Sequence, residues 1–302
     1  LLLIIEIEKM TENLTLQQAQ KLVLASQGIF NPRKNVPAIE QTLLTIEKLG
    51  YIQIDTISTV QRARHHVLWS RNPKYQNAQI DKLVAERKIF EYWSHAASYL
   101  PMKDYRFSLF RKNALLKGEE KHWFKKDLQL MDLVLNRIKN EGPLMAKDFG
   151  SEKQTKAWGS KPAKQALENL FMQGELMITS RKNFHKVYDL TENVLPNDIY
   201  LRLPSKKEYH RFLINNYLKA NGIGQASEIS YLLKNTKTHI AAELKEMHSS
   251  GELTKVTVNG IDYFALPKSL ALLDKPLNCK QLKIFSPFDN LLIQRKRMLN
   301  LF

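Results

Sequence analysis

The chain has 302 residues, 43% of them hydrophobic and 25% charged, which excludes a disordered or fibrous protein and suits two or three compact domains. Its 46 Lys and Arg against 30 Asp and Glu leave a net charge of +16, so a polyanion leads as partner; no basic amphipathic helix with an aromatic apolar face points to a membrane surface. The single cysteine, Cys279, excludes a disulfide framework and a cysteine-based zinc site within one chain, and suits a reducing cytoplasm.

Residues 1–5 are apolar, but Glu6, Glu8 and Lys9 interrupt them long before the ~20 residues a membrane span needs. No basic segment precedes them, so they do not read as a signal peptide. Met10 followed by Thr11, Glu12 and Asn13 resembles a start, which makes residues 1–9 an upstream extension.

Leu16, Ala19 and Val23 fall on one face of a first helix, and Ile39, Leu43 and Ile46 on a later one stopped by Gly50. Residues 51–55 alternate apolar and polar, which predicts a strand with Ile52 and Ile54 toward the core and Gln53 and Asp55 on the opposite face. A carboxamide and a carboxylate so placed can hold one water, the amide orienting it and the carboxylate accepting its proton. Such alternation is also ordinary in surface strands, so spacing alone leaves both readings open. Residues 78–88 then look helical and 89–93 return to strand.

Residues 103–126 carry Lys103, Arg106, Arg111, Lys112, Lys117, Lys121, Lys125 and Lys126 against Asp104, Glu119 and Glu120, with Phe107, Phe110, Trp123 and Phe124 interleaved. The run fits a solvated face or phosphate contacts beside packing anchors.

The second half repeats itself. Met131, Val134, Leu135 and Ile138 mark a helix ended by Gly142; Ala163, Leu167, Leu170 and Phe171 mark another ended by Gly174. Residues 176–179 and 187–190 form a hairpin around a basic turn at Arg181, Lys182 and Asn183. Later a helix ends near Gly222, Ser227 can cap a short one, and Ile240, Leu244 and Met247 lie on a third ended by Gly251. Residues 253–258 and 261–266 flank Asn259-Gly260, a type I′ hairpin signal. Gly174-Glu175-Leu176 and Gly251-Glu252-Leu253 occupy equivalent places, and the order of helices then hairpin is that of a winged helix.

A longer string gives the family. Gly50-Tyr51-Ile52-Gln53-Ile54-Asp55-Thr56-Ile57, Arg62-Ala63-Arg64-His65-His66, Leu68-Trp69-Ser70-Arg71, residues 90–101 and Ser286-Pro287-Phe288-Asp289-Asn290-Leu291 closely resemble the YcaQ-like family of bacterial DNA glycosylases, the crosslink-repair relatives of the AlkZ enzymes. The resemblance runs from about Leu14 to the end. It implies a mainly α fold with small β-hairpins, as three tandem winged-helix units curved around duplex DNA: 10–126, 127–204 and 205–302. Similar proteins continue past this C-terminus, so the third unit is expected to be truncated.

The family's catalytic element falls on Gln53, Ile54 and Asp55, the Asp placing the chain with the YcaQ branch. The resemblance implies a monofunctional glycosylase that removes N7-alkylated purines, unhooks interstrand crosslinks, and needs no metal or other cofactor. Its expected partner is damaged double-stranded DNA; a monomer is expected, cytoplasmic and at the nucleoid when bound. Arg62, Arg64, His65, His66 and Arg71 are the expected DNA contacts in this part of the chain. For Arg64, His65 and His66 a structural hydrogen bond is the competing reading. Adjacent histidines on a strand point to opposite faces, poor geometry for a shared metal. Arg181 and Lys182, with Asn183 and His185, could hold the backbone of a duplex. Trp69, Tyr92 and Trp93 fit core anchors better than stacking platforms. The alternative to an enzyme is a winged-helix transcriptional regulator, which would prefer an operator over random duplex by orders of magnitude.

Overall fold

Apolar stripes at helical spacing and glycines at positive φ set the element boundaries in the computed structural model, which describes residues 11–30, 35–58, 60–150, 162–277 and 282–302. The expected extension 1–9, the start at Met10 and Cys279 lie outside the described residues. The fold is mixed α/β, with helices dominant and sheets small.

The chain divides into two units, Gln76–Ser205 and a second made of Leu1–Tyr75 with Lys206–Phe302. The stretch 10–126, expected as one domain, is therefore shared between them. The reason is packing: the helices Leu16–Ser26 and Ala38–Leu49 lie against the helix Lys206–Asn221, and the strand Glu12–Leu14 pairs in parallel with Thr254–Val258. Apolar faces at the start of the chain are thus covered by its last third.

In the unit Gln76–Ser205, the helix Ala78–Ala85 leads to the hairpin Ile89–Trp93 and Ala97–Pro101, and then to the helix Tyr105–Leu116. The helix Leu128–Glu141, the strand Leu144–Met145, the short 3-10 helix Ala146–Phe149, the helix Pro162–Gln173 and the hairpin Leu176–Lys182 and His185–Leu190 follow. In their sheet the last strand lies between the other two. Val134, Leu167 and Leu176 are fully enclosed in its core. The hairpin turns at Asn183 and Phe184, both at positive φ, one residue beyond the expected basic turn.

The same order recurs in the other unit: the helix Lys206–Asn221, the strand Ile223–Gly224, the helices Ala226–Ile229 and Lys237–Ser249, and the hairpin Thr254–Val258 and Ile261–Ala265. Asn259 and Gly260 have φ of 48° and 75°, as a type I′ turn requires. Ile214, Leu218, Ile240, Leu244 and Met247 face one another at the spacing the sequence shows.

The basic run 103–126 is not one solvated face. Lys112 is buried, its ammonium 3.9 Å from the ring centre of Tyr105 and 4.8 Å from that of Tyr92. Burial pulls its pKa down to about 7, because desolvation penalises the cation more than the rings repay it. Arg111 pairs with Glu120, Arg106 Nε donates to the Arg202 carbonyl and Lys126 Nζ to that of Leu115. These cations brace the protein itself.

In the unit that contains residues 11–75, Arg71 and Asp289 form a two-pronged ion pair, Nη1 to Oδ2 at 2.8 Å and Nη2 to Oδ1 at 2.9 Å, with side chains 1% and 0% exposed. Arg71 Nε donates to the Gln27 carbonyl and Nη2 to Gln27 Oε1. Gln27 Nε2 in turn donates to Asn221 Oδ1. Three segments remote in sequence meet on one guanidinium.

Removing one member of a buried pair strands the other. Asp289→Ala is expected to cost about 3–5 kcal/mol in urea unfolding, well beyond a surface carboxylate deletion. Lys112→Met should stabilise the protein at pH 6. The wild-type lysine is charged there in both states and carries its desolvation penalty in full. As pH rises from 7 toward 10.5 the unfolded lysine also loses its proton, so the advantage of methionine should shrink across that window.

Candidate active site

Gly50 ends the helix Ala38–Leu49 at φ 79°, where a Cβ would stand 2.2 Å from Asn216 Nδ2, so the turn that aims the next segment needs glycine. The strand after it is only Ile52–Gln53. Ile52 and Ile54 are buried, as alternation predicts, and Gln53 is half-buried. Asp55 lies beyond the strand, which corrects the expected five-residue strand. There the backbone turns away: Arg62 Nη1 donates to the carbonyls of Asp55, at 3.2 Å, and Thr56, at 3.1 Å.

Asp55 is 7% exposed, and its carboxylate meets the start of the helix Ala63–Trp69. Its Oδ2 accepts the Ala63 N–H at 2.9 Å. Its Oδ1, also buried, has no hydrogen-bond partner among the described residues. A buried carboxylate oxygen left so is costly and calls for an explanation. One oxygen is fixed by the backbone while the other keeps its capacity to accept a proton or face a developing positive charge.

His65 and His66 lie on a helix, not on the expected strand, and take different roles. His65 is buried, and its Nδ1 shares a 2.7 Å hydrogen bond with the Tyr75 hydroxyl. Burial, then the nearby charges of Arg64, His66 and Arg62, lower its pKa to about 4. It serves the helix's packing rather than a DNA contact. His66 is half-buried, edge-on to Trp69 at 5.6 Å. Trp69 Nε1 donates to the Tyr75 carbonyl, an anchoring role.

Two arginines expected at DNA are committed inside the protein. Arg71 is spent on Asp289 and Gln27. Arg181 donates to both carboxylate oxygens of buried Glu91 at 2.7 Å and to the Phe184 carbonyl at 2.6 Å, bracing its hairpin turn. Arg62 and Arg64 are half-buried; Lys182, Asn183 and His185 are exposed. No group of three or more His, Cys, Asp or Glu able to hold a metal occurs among the described residues. Sequence reasoning gave no role to Tyr75 or Asp289. Asp289 stands in the quoted 286–291 motif, but nothing in its spacing points to an arginine 218 positions away.

The sequence profile of the family described as "DNA glycosylase AlkZ-like" matches residues 46–302. Among solved structures, the Streptomyces sahachiroi DNA glycosylase AlkZ is similar in fold, with a TM-score of 0.65 at 15% identity, over 92% of this chain and 76% of that one.

His65, on the helix Ala63–Trp69, makes stability depend on pH. A buried imidazole held neutral contributes stability that is present above about pH 6.5 and is lost as pH falls from there toward 4, because only the unfolded state takes up the proton. Urea unfolding between these limits should show that decline, and the His65 imidazole should titrate near 4 by proton NMR; a midpoint near 6.5 would contradict its burial.

Proposed function

The chain belongs to the AlkZ-like family of DNA glycosylases, and from that premise we propose that it hydrolyses the N-glycosidic bond of N7-alkylated purines in duplex DNA, interstrand crosslinks included. The reading rests on Asp55, a buried carboxylate with one oxygen fixed by Ala63 N–H and the other without a protein partner among the described residues.

Alkylation at N7 gives guanine a formal positive charge, so the base can leave C1′ as a neutral molecule without protonation. The bond from C1′ to N9 breaks and its electron pair goes to the base. The sugar takes on oxocarbenium character, as at a glycoside centre. Asp55 stabilises that charge and accepts a proton from the water whose oxygen bonds to C1′; Gln53 orients that water. One carboxylate suffices because the leaving group arrives already activated. No lysine nucleophile and no metal enters this scheme. Arg62, Arg64, His66 and Lys182 are the proposed phosphate contacts, and the two helix-then-hairpin modules are proposed to hold the duplex as winged helices. Such an enzyme would work as a monomer on chromosomal DNA in the cytoplasm.

Asp55→Asn should lower the rate of abasic-site formation in 7-methylguanine DNA by at least about 10²-fold while leaving duplex affinity unchanged, measured by alkaline cleavage and by fluorescence anisotropy. Undiminished release by that variant would remove Asp55 from the mechanism.

A further inference from the structure

The loop between Asp55 and the helix Ala63–Trp69 presents two apolar side chains to solvent, Ile57 at 62% and Val60 at 87% exposure. A loop beside a buried carboxylate has no packing reason to carry them there. The described residues around them are tied to one another. Arg62 ties the carbonyls of Asp55 and Thr56, and Ser58 and Arg62 form an antiparallel bridge. Both residues branch at Cβ, so each has few rotamers to lose when it becomes buried. Arg62 Nη1 lies against the carbonyls of Asp55 and Thr56, so a cation borders the loop on the side where a phosphate backbone would pass.

A stacked duplex buries the sugar carbon that Asp55 must face. Apolar side chains inserted between base steps unstack them, and a nucleotide out of the stack can turn its sugar toward a protein group. We propose that Ile57 and Val60 are an apolar wedge that enters the base stack beside the lesion and holds it open while Asp55 acts, an inference that rests on the glycosylase reading above.

The test compares the wild type with the double variant Ile57→Ser and Val60→Ser, whose melting temperature should be unchanged because both side chains are exposed. The first readout is 2-aminopurine fluorescence beside a tetrahydrofuran abasic analogue in a duplex. Wild-type protein should raise it on binding and the double variant should not. The second is release of 7-methylguanine from paired DNA and from the same strand unpaired. The variant should lose about tenfold or more on the paired substrate and stay within about twofold on the unpaired one, as a defect in opening the stack requires. Equal loss on both substrates, no loss on either, or an undiminished fluorescence rise with the variant would overturn the wedge. So would a wild-type dimer that dissociates in the variant with base stacking unaffected, since the patch would then serve self-association. Fluorescence enhancement without any base release by the wild type would keep the wedge and refute the glycosylase reading; release without enhancement would do the reverse.

Discussion

The buried pair of Arg71 and Asp289 is the constraint on which the candidate site depends. Two full charges excluded from water are tolerated only when geometry and further hydrogen bonds are nearly complete, and here the guanidinium is met by a carboxylate, a side-chain amide and backbone carbonyls. The pair adds little net stability compared with apolar residues of the same size. What it fixes is position. Arg71 follows directly on the helix Ala63–Trp69, so the far end of that helix is tied to the segment around Asp289 and to Gln27.

The near end of the same helix holds Asp55 through the Ala63 N–H. A seven-residue helix has little stability of its own and takes its geometry from what grips it. Anchored at one end by the ion pair and packed in its middle through His65 and Tyr75, it presents a backbone donor to the carboxylate at the other. The second carboxylate oxygen is left without a hydrogen-bond partner among the described residues, which is the feature the proposed chemistry draws on.

Part of the chain's basic balance is taken up inside the protein. Arg71, Arg181, Arg211 and Arg297 and the buried Lys112 serve internal structure, paired with Asp289, Glu91, Glu243 and Glu228 or enclosed by aromatic rings. Lys182, in the hairpin, is exposed. Net charge thus argues for the class of partner but does not say which cations meet it.

Much was legible in the sequence because it is written locally. Apolar periodicity and stopping glycines give the helices of both repeated modules, and Asn259-Gly260 gives its turn, since each depends on residues a few positions apart. The string around Gln53 and Asp55 carries the family. Tertiary structure alone decided that the strand stops at Gln53, that Asp55 turns onto a helix, that His65 is buried, and that Arg71 and Arg181 are occupied. Each of these is settled by a partner distant in sequence or by a loop whose carbonyls a side chain captures. Pairing through space leaves no period for a linear reading to detect.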